Sequence, residues 1–128
     1  MTIPTNEGFA EMAKLCTGAT SSAFTRIAVG IGSAPSASGD TLGSEVTDVG
    51  LARVVANAVS TVQTALADDT ASWVHTFTST GTKAITEAGI FNAASGGDML
   101  IVGAVSPTAS MVSGDTLTLT MKCQFKAD

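Results

Sequence analysis

His75 is the single histidine of the chain, and Cys16 and Cys123 are its only cysteines. A zinc site needs three or four His, Cys or carboxylate ligands at short spacing. A nucleophilic triad needs a histidine beside a Ser or Cys motif and a carboxylate that orients it. Neither pattern surrounds His75, so the histidine reads as a packed or half-exposed strand residue. The two cysteines lie far apart in sequence and make no metal motif, and they allow one disulfide. Each falls on an apolar-face position, so buried thiols are the simpler expectation. Asp40, Asp68, Asp69, Asp98 and Asp115 could offer oxygen ligands to calcium, but their spacing fits no EF-hand loop. Their neighbours are those of turns, where an Asp side chain accepts from its own backbone. Gly30-Ile31-Gly32 follows a strand-like run, yet the third glycine of a dinucleotide turn is missing and Pro35 intrudes. No cofactor is implied.

One acidic residue stands out. Glu87 lies inside the otherwise apolar run Ile85-Thr86-Glu87-Ala88-Gly89-Ile90-Phe91. A general acid would need a second carboxylate or a nucleophile close by, and the sequence supplies none. The expectation is a structural carboxylate that binds turn amides or an arginine such as Arg53. Gly89 beside it suggests a bulge or a close backbone approach.

The elements that would position these residues are mostly strands. Asn6 can cap a short helix, with Glu7 near its positive end. Phe9, Met12, Ala13 and Cys16 follow the spacing of one helical face, and Thr17-Gly18 is the stop. Three turns do not persist alone, so that face must dock on this domain's sheet or on a neighbouring subunit. Phe24–Ile31 reads as a strand, and Gly32–Ser44 as a long loop. Val46–Leu66 reads as two strands or one bent strand, because its Val and Thr content disfavours helix. Strands are expected at Thr70–Thr78 and Lys83–Phe91, the second followed by a loop over Asn92–Asp98. Met99–Val105, nearly all apolar, reads as a central strand covered on both faces and closed by Pro107. Leu117, Leu119, Met121, Cys123 and Phe125 alternate with polar residues, the period of a half-buried antiparallel strand. Ser-Gly-Asp-Thr-Leu occurs at 38–42 and at 113–117, as two similar turns leading into strands. The expected fold is mainly β, an antiparallel β-sandwich or jelly roll with a short N-terminal helix.

The 128 residues and 12.8 kDa fit one domain, with residues 1–18 as a helical arm and 19–128 as the β body. Alanine, threonine, serine and glycine make up half of the chain, and tyrosine is absent. The net charge is −5, and the six Lys and Arg are scattered. A phosphate-binding surface needs them clustered, so nucleic acid is not an expected partner. The N-terminus lacks the basic and apolar regions of a signal peptide, and no run approaches the ~20 apolar residues of a membrane span. Synthesis and folding in a cytoplasm is the expectation.

Several stretches together resemble a family of small tailed-phage structural proteins, described as head-decoration or tail-fibre proteins. They are Ile27–Gly32 with the Ala/Ser/Pro loop after it, Leu42–Val46, Leu51-Ala52-Arg53, Ile85–Leu100 and Ser113–Leu119. The most specific is Glu87-Ala88-Gly89-Ile90-Phe91. The resemblance implies a virion component. It makes Glu87, Ala88, Gly89, Phe91 and Asp115 a structural motif. It covers the chain from about residue 26 onward, so Phe9, Met12 and Cys16 are a candidate interface helix only by their spacing and by their need to dock. The first expectation is a non-enzymatic decoration protein on the capsid surface. It would bind the major capsid protein or other virion proteins and form a homo-oligomer, a trimer at a symmetry axis. The alternative is a tail-fibre or baseplate module for host adsorption. A small enzyme or sugar-binding domain is the third reading, opposed by the lack of catalytic pairs and of tyrosine.

Overall fold

The computed structural model describes residues 2–20, 22–33 and 41–126. Its elements run β1 (Thr2–Pro4), α1 (Asn6–Thr17), β2 (Arg26–Gly30), β3 (Val54–Val55), β4 (Ala58–Val62), β5 (Thr70–Thr78), β6 (Lys83–Phe91), β7 (Met99–Met111) and β8 (Thr116–Gln124). The strands form two antiparallel sheets in a sandwich-like arrangement. One has the order β1-β7-β6-β2-β3 and the other β4-β5-β8. Strands β5 and β6 span the residues expected from alternation and turn signals. The Val46–Leu66 stretch resolves into two strands, β3 and β4. Residues 34–40 of the expected loop, and most of the first Ser-Gly-Asp-Thr-Leu copy, lie outside the described residues.

The core follows from strand periodicity. Ile27, Val29, Ile85, Ile90 and Ile101 of the larger sheet meet Trp73, Phe77 and Met121 of the smaller one. Each such side chain contributes roughly 1.5–3 kcal/mol by leaving water. The indole N–H of Trp73 donates to the Phe24 carbonyl at 2.7 Å, which removes the penalty of burying it. Ala28, between Ile27 and Val29, points the other way. It joins Leu42, Phe91, Met99 and Val102 in a second cluster. The larger sheet is therefore covered on both faces, and Met99–Gly103 is buried throughout.

Pro107 does not close that strand: β7 continues to Met111. The β6–β7 ladder pairs Ile85 with Ala109 and then Glu87 with Ala104. Pro107 sits inside this shift, where no ladder hydrogen bond is required of it.

The helix also departs from expectation. Its cap is Thr5, not Asn6. The fully buried Thr5 hydroxyl accepts from the Gly8 amide at 2.9 Å and bonds the Met99 carbonyl. The Thr5 amide donates to Leu100 at 2.9 Å, so the helix starts welded to β7. Gly18 ends it in the left-handed region at φ 76°. The docked face is Gly8, Glu11, Met12 and Leu15. Gly8 permits this approach, since a Cβ there would stand 2.5 Å from the Leu100 carbonyl oxygen. Of the expected docking face only Met12 touches the core. Phe9 is 59% exposed, and Ala13 and Cys16 are exposed too. Both cysteines are free thiols; Cys16 is on the surface and Cys123 half-buried, where burial pushes its thiol pKa up.

Candidate functional site

The stretches that carried the resemblance converge at one end of the larger sheet. Gly30 ends β2, and the chain returns alongside it, with Ile31 N–H donating to Ser44 and Val46 N–H to Val29, both at 2.9 Å. This bridge seats Glu45 opposite Gly30. Strand β3 then pairs with β2, which places the preceding Arg53 beside Glu45. Arg53 grips Glu45 bidentately, Nη2 to Oε1 at 2.6 Å and Nε to Oε2 at 3.0 Å. Its Nη1 donates to the carbonyls of Ala93 and Gly96 at 3.0 and 2.8 Å, fixing the loop that follows β6. The guanidinium lies 3.6 Å over the Phe91 ring. One side chain, 7% exposed, thus ties three segments together.

Glu87 was expected to bind turn amides or Arg53. It accepts from an amide, that of Gly43, at 2.7 Å through Oε1. Arg53 is not its partner. Glu87 is 2% exposed, and its Oε2 has no hydrogen-bond partner among the described residues. Gly30, Gly32 and Gly43 enclose the carboxylate, and a Cβ on Gly32 would fall 2.1 Å from Oε2. The Thr86 hydroxyl, next along the strand, donates to the Gly32 carbonyl at 2.7 Å. Glu87 and Thr86 therefore pin the chain leaving β2. Ala88 pairs with Val29 and with Gly103, and Gly89 lies against Met99 and Leu42.

Asp115 stands apart, at the turn between β7 and β8. Its carboxylate accepts from Val112 N–H at 2.9 Å, and its carbonyl accepts from Ser79 N–H at 2.8 Å. Asp69 does similar work in the turn before β5 and was read only as a turn marker. It gathers the amides of Thr64, Ala65 and Leu66 at 2.9–3.0 Å, and these hold its carboxyl far below the usual range. Its signal in sequence is the Thr-Ala-Leu-Ala-Asp-Asp run, a polar turn after a strand. His75 Nδ1 accepts from Asn57 N–H at 3.2 Å, and its ring meets Phe77 edge-on at 4.5 Å. Burial lowers its pKa.

A shallow cleft of about 280 Å³ adjoins the clamp, lined by Glu45, Thr47, Ala52, Arg53, Ala94, Ser95 and Gly96. Arg53 is fully engaged within the protein, so the cleft offers no uncommitted charge. Among the described residues, no group of three or more His, Cys, Asp or Glu could hold a metal ion, and no helix is long and apolar enough to cross a membrane. The arrangement fixes loops; its polar groups bond backbone and, in the Arg53–Glu45 pair, each other.

No curated protein matches the chain. A family model described as podophage GP4 fiber I protein gp80 matches residues 10–123, a span that contains the Arg53 clamp, Glu87 and nearly all of the sandwich. The chain therefore belongs to the podophage GP4 fiber I protein gp80 family, a family of tailed-phage virion structural proteins.

Proposed function

We propose that this chain is a non-enzymatic structural module of a phage fibre, folded as one domain and acting in host adsorption through contacts with other virion proteins. The observation that carries this reading is the family match over residues 10–123, whose description names a fibre. The polar machinery agrees with it. Arg53, Glu87, Asp69 and Asp115 all spend their hydrogen bonds on the chain itself, which stiffens loops. Capsid decoration is the rival, with the major capsid protein as partner and a trimer at a symmetry axis; the family description favours the fibre.

A nonsense mutant of the gene tests the choice. Particles made without the chain should have full, stable heads but lack fibres and adsorb poorly. Fragile heads on particles with intact fibres would move the protein to the shell.

A further inference from the structure

Two of the five phenylalanines stand outside the core. Phe24, Phe77 and Phe91 are buried, whereas Phe9 is 59% and Phe125 48% exposed. Both line one groove of about 240 Å³. It opens where β1 and β8, edge strands of the two sheets, meet. Its lining includes Thr2 and Pro4 of β1, Phe9 of α1, the buried Ile101 of β7, and Cys123 and Phe125 at the end of β8. Sites for small molecules run to about 300–1,000 Å³, so this groove suits one or two protein side chains better than a cofactor. Aromatic anchors around a small apolar pocket carry much of the energy of protein recognition, because they bury a large area at low entropic cost.

Charge decides what kind of chain fits. Lys122 lines the same groove, and Lys126 follows Phe125 directly. Lys14, Arg53 and Lys83 each hold a carboxylate of the chain. Lys122 and Lys126 hold none among the described residues, although the chain carries a net charge of −5. No Asp or Glu is among the described residues that line the groove. Apolar walls are thus joined to uncompensated positive charge. A second copy that met the groove symmetrically would bring lysines toward lysines, so the groove is not complementary to itself.

We propose that this groove receives a short segment of a different virion protein, one that offers a large apolar side chain with a carboxylate one or two residues away. The apolar side chain packs on Phe9 and Phe125 and covers Cys123. The carboxylate pairs with Lys122, and Lys126 adds to the attraction. The inference rests on the reading of the chain as a module that contacts other virion proteins, and not on whether those lie in the fibre or the shell.

Photocrosslinking in assembled particles tests this. The photoreactive p-benzoylphenylalanine is placed at position 125, and at position 66 as a control, since Leu66 is 72% exposed and outside the groove. Irradiation should join position 125, and not position 66, to a different virion protein, at a segment with Asp or Glu within two residues of a large apolar one. Lys122→Glu should cut the yield by about threefold, the worth of one exposed ion pair. Changing the acidic residue of that segment to lysine should restore it. A crosslink only to a second copy, no crosslink from position 125 in particles that contain the chain, or a yield indifferent to the sign of residue 122 would overturn the proposal. Particles that lack the chain would overturn the virion reading and the proposal with it, and mass spectrometry of the particles tells that case apart. If the change at position 125 blocks assembly, alkylation of wild type decides. Cys123, measured against the exposed Cys16, should react with a maleimide about tenfold more slowly in particles than in the isolated chain at the same concentration, as for a groove about nine-tenths occupied. Equal rates would overturn the proposal.

Discussion

Replacing Arg53 by alanine should destabilise the fold by about 3 kcal/mol, a figure that follows from what the side chain leaves behind. Breaking a buried ion pair by removing one partner costs about 3–5 kcal/mol, because the other charge loses its compensation. Here the orphan is Glu45, whose side chain is 21% exposed, so water takes up part of that charge and the low end applies. The Gly96 carbonyl borders an open cleft and can also be hydrated. The contact with the Phe91 face adds about 0.5–1 kcal/mol where it is partly solvated. Arg53→Lys keeps the charge but cannot grip Glu45 with two nitrogens and reach two carbonyls as well, so about half the loss is expected. Denaturant unfolding followed by Trp73 fluorescence is the assay, since Trp73 is the only tryptophan and is buried. For a chain of this size the alanine variant should melt roughly 10 °C lower. A Glu45→Ala, Arg53→Ala cycle should give a coupling of about 1–3 kcal/mol. If Arg53→Ala changed stability by less than about 0.5 kcal/mol, water would be replacing the guanidinium fully and the clamp would hold nothing together.

Gly32→Ala should cost about 2 kcal/mol, since its methyl would land on the Glu87 carboxylate. Glu87→Ala in the same background should recover part of that loss, and strict additivity in the unfolding cycle would refute the steric argument. The folded pKa of His75 is lowered by burial, so its neutral form is favoured in the native state. Stability should be full above the ordinary histidine value, about 6.5, and decline as pH falls below it. Asp69 is lowered by the amides of Leu66, Ala65 and Thr64, so a second decline should begin below about pH 4. His75→Gln and Asp69→Asn should each remove one of these declines from a series of melts across pH. Phe9→Asp should leave the melting temperature within about 2 °C of wild type, because Phe9 is exposed, whereas Met12→Asp should lower it sharply.

Much of the fold was legible because period-two alternation is a local signal. Thr70–Thr78, Lys83–Phe91 and the β8 alternation each state their own register, with turn residues at the ends. The helix face was not legible by the same logic. Hydrophobicity pointed to Phe9 and Cys16, but the docked side includes Gly8, chosen for having no side chain, and Glu11. Glu11 is neutralised one turn on by Lys14 at 2.7 Å, so it can lie against the sheet. Pro107 misled because a proline rule for ladders does not apply inside a register shift that only the partner strand reveals. Glu87 was visible as a charge in an apolar strand, and an amide partner could be named in kind. That Arg53 belongs to Glu45 could not be read, because the return of the chain beside Gly30 places Glu45 there. Asp69 was legible as a turn and not as the acceptor of three amides.

Immunogold labelling of intact virions with antibody to this chain measures the central claim most directly. Gold confined to fibres at the tail is the expected result. Gold spread evenly over the head would contradict it and make the chain a component of the shell.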